Sequence, residues 1–253
     1  MLGVTATLPD RDSARPPIIL VHGAANSASI WTFWQQELAA QGWTSYAIDL
    51  RGHGRSLHAD LSSTSMADYV ADGCMVARQF KRLPIILGWS MGGLVALMMA
   101  AAGVAAACIA LAPSMPARQR ALSAELRRGE FGPEEYGITS LDPHEQKAMP
   151  DLDREERLIA LASLGRESRL AKDERTAGIV IASLPCPLLL VTGTEDKAWP
   201  AERYHDLWLK SDRFSVESAS HWGLVLNRRA LGTIIPTVLG WIERTIQQGR
   251  GTS

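Results

Sequence analysis

The segment Leu83-Pro84-Ile85-Ile86-Leu87-Gly88-Trp89-Ser90-Met91-Gly92-Gly93-Leu94 passes from a short apolar run into a helical pattern, with a serine at the junction. Residues 83–88 are rich in isoleucine and leucine and read as a buried strand. Residues 91–102 are apolar on every side, so their helix is expected inside the core. Gly88, Ser90 and Gly92 satisfy G-x-S-x-G, in which a sharp strand-to-helix turn lifts a serine hydroxyl above the sheet end. Small residues on either side let the backbones approach closely. The following helix aims free N–H groups and its positive dipole end at the same point. The plainer alternative is a helix N-cap serine with packing glycines.

The same alternation extends in both directions. Strands are read at residues 18–21, 44–50, 107–111, 186–192 and 214–217, and helices at 29–41 and 65–82. Buried strands alternating with helices predict an α/β fold with a mostly parallel central sheet flanked by helices. Residues 114–181 break this rhythm. Charge is dense there, strand patterns are absent, and residues 153–164 form an amphipathic pattern that Gly165 should stop. The expected division is a core of residues 1–113 and 182–253 with a helical cap or lid inserted at 114–181.

Composition sets outer limits. The chain has 253 residues, is 46% hydrophobic and 21% charged, and carries a formal net charge of −1. A chain of this size buries a core unaided and is too apolar for disorder. It lacks the basic excess of a nucleic-acid binder. No run reaches the roughly 20 apolar residues that span a bilayer, and the N-terminus has no signal-peptide pattern. Cys74, Cys108 and Cys186 are read as reduced thiols, and a cytoplasmic location is expected. No metal-ligand spacing is present, and no cofactor is expected.

A serine hydroxyl needs a base. Of six histidines, His22 and His53 lie in glycine-containing loops, His58 and His144 in polar loops, and His205 in a helical pattern. His221, in Ser218-Ala219-Ser220-His221-Trp222-Gly223, follows the last strand and is best placed to reach over the strand ends. The base in turn needs an orienting acid. Asp196 ends the strand-to-turn stretch Val191-Thr192-Gly193-Thr194-Glu195-Asp196, with Glu195 as its rival.

The order Ser90, Asp196, His221 and five motifs together resemble the α/β-hydrolase fold superfamily. The motifs are Val21-His22-Gly23-Ala24, Asp49-Leu50-Arg51-Gly52-His53-Gly54-Arg55-Ser56, Gly88-Trp89-Ser90-Met91-Gly92-Gly93, the turn from Gly193 to Asp196, and His221. Small carboxylesterases, including those acting on carboxylate methyl esters, and cofactor-free perhydrolases are the members most resembled. The resemblance implies an oxyanion hole from the backbone N–H groups of Ala24 and Met91. It also implies a shortened antiparallel edge of one or two strands, since only 17 residues precede Ile18.

The remaining expectations concern the surroundings. Trp89 and Trp222 flank the two catalytic candidates and are read as substrate-lining, with a core position as the equal alternative for Trp89. Trp31, Trp34 and Trp43 are read as packing. The stretch at residues 49–56 shapes a loop beside the site. The charged runs at 118–128 and 151–157 are read most simply as solvated helix faces, with a lid polar enough to bind an acidic substrate as the alternative. The expected activity is hydrolysis of a small ester or thioester through an acyl-enzyme. Perhydrolase or lyase chemistry on the same triad, and a non-catalytic ligand-binding protein on the same frame, are the alternatives. Substrate identity and oligomeric state stay open in the sequence.

Overall fold

Apolar residues at every position, rather than at every second one, form the strands at the centre. The computed structural model describes residues 1–11, 14–56 and 59–250, so His58 lies outside the described residues. Strands β1 (Gly3–Thr7), β2 (Ile18–Val21), β3 (Ser45–Asp49), β4 (Ile85–Trp89) and β5 (Ala107–Leu111) come first. A two-stranded ribbon, β6 (Glu130–Phe131) and β7 (Glu167–Ser168), and then β8 (Leu188–Gly193) and β9 (Asp212–Val216) follow. β2, β4 and β5 are buried along their whole length, as strands covered on both faces must be.

Among the described residues the central sheet has seven strands in the order β1-β3-β2-β4-β5-β8-β9. Every pairing is parallel except β1 with β3. The antiparallel edge is thus the single short strand β1. The parallel strands send the loops after β2, β4, β8 and β9 to one rim. The order of connection reverses between β2 and β4, which opens a crevice beyond their carboxyl ends.

Helices α1 (Thr32–Ala40), α2 (Met66–Ala77) and α3 (Met91–Ala101) cover the sheet from the first half of the chain. α4 (Arg154–Ala162) and α5 (Arg169–Ala177) lie in the 114–181 segment, and α6 (Gly223–Leu226) and α7 (Arg228–Arg250) end the chain. Trp31, Trp34 and Trp43 are fully buried in the core beneath one face of the sheet. Each large apolar side chain removed from water there contributes about 1.5–3 kcal/mol.

Five sequence expectations need correction. The helix expected at 65–82 closes at Ala77, where the N–H of Arg78 is shared between the carbonyls of Cys74 and Val76. The 114–181 segment is not free of strands, since β6 and β7 pair within it. Residues 118–128 form turns and extended chain instead of a helix, and α4 is capped by Ser163 before Gly165 is reached. The run at 151–157 is not simply solvated either. Glu156 is buried, and its carboxylate accepts the N–H groups of Asp153 and Arg228.

Gly88 and Gly92 show why the turn after β4 demands glycine. A Cβ on Gly88 would stand 2.0 Å from the Gly92 carbonyl oxygen, and one on Gly92 2.2 Å from that of His22. Both obstacles are backbone and cannot swing aside. Gly88→Ala is therefore expected to lose about 3 kcal/mol or more of stability in urea unfolding. Gly232→Ala, on an exposed turn of α7 with nothing within 4 Å, is the matched control and should gain about 1 kcal/mol.

Candidate active site

Ser90 takes φ 56° and ψ −119° directly after β4. A non-glycine residue held there costs about 1–3 kcal/mol, so its surroundings must enforce it. Its N–H donates to the Leu111 carbonyl at 2.9 Å, and its carbonyl accepts the N–H groups of Gly93 at 3.1 Å and Ser114 at 2.9 Å. The side chain caps nothing in α3, so the N-cap alternative finds no hydrogen bond to support it. Instead the residue faces a cavity of about 440 Å³ at the carboxyl rim.

His221 lines the same cavity, on the loop after β9. Its Nδ1 stands 2.7 Å from Asp196 Oδ2. A carboxylate can only accept, so Nδ1 carries the proton and Nε2 is left with a free lone pair in the neutral ring. The Trp89 ring packs on the imidazole at 4.9 Å between centroids, and its indole N–H donates to the His221 carbonyl at 3.0 Å. Trp222 meets Trp89 edge-on at 5.0 Å, and both line the cavity.

Asp196 is buried behind the imidazole. Its second oxygen accepts the N–H groups of Ala198 at 2.9 Å and Trp199 at 2.8 Å. Burial alone would raise this carboxyl. The His221 bond and the two backbone donors outweigh burial and hold it below its ordinary value. Glu195, the rival acid, is exposed at the cavity wall, and its side chain makes no bond to His221.

Ala24 follows β2 and also lines the cavity, while Met91 begins α3 behind Ser90. Among the described residues the N–H groups of both lack a hydrogen-bond partner. Two idle donors beside a serine suit an oxygen that gains charge. Beyond these, no three His, Cys, Asp or Glu side chains gather as a metal site among the described residues.

The other histidines have local explanations. His22 Nε2 accepts the Leu50 N–H at 3.1 Å, while Nδ1 sits 2.8 Å from the Gly23 carbonyl. Burial first, and then His53, push this ring down to about 4, in keeping with a neutral tautomer that donates from Nδ1. His144 and His205 lie in or beside short 3-10 turns, outside the cavity walls.

Two acids from the 114–181 segment were not legible as site residues. Asp151 accepts the N–H of Ser220 at 3.0 Å, next to His221, and its carbonyl takes the Asn227 side chain at 2.6 Å. Glu167 is fully buried and accepts the N–H of Ala25 at 3.0 Å, the Tyr69 hydroxyl at 2.5 Å and the Ser168 N–H at 2.7 Å. His53 Nε2 approaches it at 3.5 Å, an ion-pair contact rather than a hydrogen bond. Ala25 itself is held at φ 54°. Glu167 therefore fixes the loop that carries Ala24.

Burial would raise the Glu167 carboxyl. The facing His53, Arg175 and Tyr69 overcome that and bring it down to about 2. A depressed acid adds stability that is present above its ordinary value near 4.5 and lost as pH falls toward 2. His53 is desolvated too, yet Glu167 raises it, and this contribution fades as pH rises through the raised value. Glu167→Gln should cost about 3 kcal/mol at neutral pH. It should also flatten the fall in stability between about pH 4.5 and 2, read from urea unfolding across a pH series.

The alpha/beta hydrolase family model matches residues 18–231. Pimeloyl-[acyl-carrier protein] methyl ester esterase of Salmonella heidelberg (strain SL476) is 30% identical over 176 residues, covering 67% of this chain and 61% of that protein. The chain thus spans about 61% of the length of the curated relatives it matches. Among solved structures, polyneuridine aldehyde esterase superposes with a TM-score of 0.69 at 16% identity, covering 88% of this chain and 99% of the other. A thermophilic esterase from Thermogutta terrifontis does so with a TM-score of 0.67 at 17% identity, over 96% and 93% of the two chains. At these identities the superpositions speak for the fold.

Proposed function

The chain belongs to the alpha/beta hydrolase family, and on that premise we propose that it cleaves a small carboxylic ester or thioester through an acyl-enzyme on Ser90. The 2.7 Å contact between His221 Nδ1 and Asp196 carries this reading, because it leaves Nε2 as the one ring atom able to take a proton. The similarity to a methyl ester esterase supports the same class of reaction.

In the proposed cycle His221 Nε2 removes the Ser90 proton as Oγ attacks the substrate carbonyl. Negative charge moves to the carbonyl oxygen, where the N–H groups of Ala24 and Met91 donate to it without reorganising. The imidazolium, steadied by Asp196, returns its proton to the leaving alcohol or thiol. Water then attacks the acyl-enzyme by the same route in reverse, releasing the acid and restoring Ser90.

In this reading residues 114–181 act as a cap on the core formed by 1–113 and 182–253. Pro133, Tyr136, Ile138 and Leu164 bring apolar surface from that segment to the cavity, facing Trp89 and Trp222. A cavity of about 440 Å³ suits a small acyl group and its alcohol. The deciding experiment is turnover of short p-nitrophenyl esters by the wild type and by Ser90→Ala. Equal rates in the two would remove Ser90 from the mechanism.

A further inference from the structure

Arg175, on α5, brings a guanidinium to the wall of the cavity that Ser90 faces. Nη2 donates to the Tyr136 hydroxyl at 3.1 Å, Nη1 approaches Ser114 Oγ at 3.5 Å, and Nε donates to the Ala171 carbonyl at 3.3 Å. All three acceptors are neutral. Among the described residues no carboxylate makes an ion pair with this arginine. Glu167 lies near enough to be felt, but its oxygens already serve Tyr69, Ala25, Ser168 and His53.

The hydrogen-bond partners of this half-buried cation are thus all neutral, and among the described residues the remaining N–H groups of its fork have no acceptor, which leaves them for a ligand. The wider cavity wall adds Lys147 and Lys197 against one acid, Glu195, so the side chains that line it are more often cationic than anionic. The site is also close to the candidate chemistry. Ser114, which touches the guanidinium, donates its own N–H to the Ser90 carbonyl at 2.9 Å.

We propose that Arg175, with Tyr136 and Ser114, forms an anion subsite that receives a carboxylate, so that the preferred substrates are short esters bearing a second, ionised carboxyl group. This rests on the hydrolase reading and names its substrate class. A planar carboxylate matches the guanidinium fork with two parallel N–H···O bonds, which a neutral ester end cannot make. The carboxylate can belong to the acyl chain or to the leaving alcohol, and the two are separable by experiment.

The test compares kcat/KM for monomethyl glutarate with dimethyl glutarate, and for 4-acetoxybutanoate with its methyl ester. In the wild type at least one charged ester should be preferred roughly 10- to 100-fold, the value of a charge-assisted hydrogen-bond pair. In Arg175→Gln that ratio should fall close to one. Arg175→Lys keeps the charge without the fork and should hold an intermediate ratio, which carries the test if the glutamine variant does not fold. A wild type that favours neither charged ester, or a ratio unchanged by both substitutions, overturns the subsite.

If the wild type turns over neither these four esters nor the p-nitrophenyl esters, the hydrolase reading fails by itself. The subsite is then decided by calorimetric titration of glutarate. Binding at least tenfold weaker to Arg175→Gln upholds it, and equal binding overturns it.

Discussion

Ser90→Ala should lower kcat on a short p-nitrophenyl ester by about 10⁵- to 10⁶-fold, while the protein unfolds at an unchanged urea concentration. The catalytic loss follows from removing the atom that attacks the substrate carbonyl in the first half of the proposed cycle. What activity persists would come from the Ala24 and Met91 donors acting on a bound ester attacked by water. Unchanged stability follows from the structure around the residue. The Ser90 hydroxyl makes no hydrogen bond with a described residue, and the strain at φ 56° belongs to the backbone. Alanine inherits that strain unaltered. Ser90→Gly relieves it and should be more stable than the wild type by about 1 kcal/mol, though equally inactive. Steady-state kinetics and urea unfolding on the same samples check both halves.

Asp196→Asn should lower kcat by about 10⁴-fold with little change in KM. The reason lies in the opposite side of the carboxylate. One Asp196 oxygen accepts the N–H groups of Ala198 and Trp199, so an asparagine must turn its carbonyl oxygen that way. Its NH₂ then faces His221, and Nδ1 must accept. The ring proton moves to Nε2, the atom that should take the Ser90 proton. The substitution thus inverts the tautomer without emptying the site. Proton NMR of the imidazole, together with kcat and KM for the ester, tests this. An Nδ1–H that survives in the variant would contradict the argument.

The parts of this protein that were readable in the sequence are those set by neighbours along the chain. β2 and β5 match the residues expected for them because an apolar run bounded by glycine or proline has few other fates. Ser90 was readable because the close approach of Gly88 to Gly92 leaves a local signature. Asp196 and His221 stand in the turns after their strands, and the fold brings their side chains to 2.7 Å across 25 positions.

Asp151 and Glu167 were not readable. Their partners lie 69 and 142 residues away, and each stands in a charged stretch that looks like any solvated surface. Residues 118–128 misled for the opposite reason. Their arginines suit a helix face, but Ala117 and Ala121 are tied by backbone bonds to Ile179 and Ala177, which keeps the chain extended. Local preference lost there to a long-range pairing.

Gly165 and Glu167 hold Ala25 by its carbonyl and its N–H, Ser163 bonds the Asn26 side chain, and Asp151 holds Ser220. The 114–181 segment therefore grips the loop after β2 and the loop after β9 at once. Transplanting it as an interchangeable module, joined only at its two ends, would strip both loops of their fastenings. A donor segment must carry its own acids at these two points, which makes the cavity wall it supplies and the loops that carry Ala24 and His221 one inherited unit.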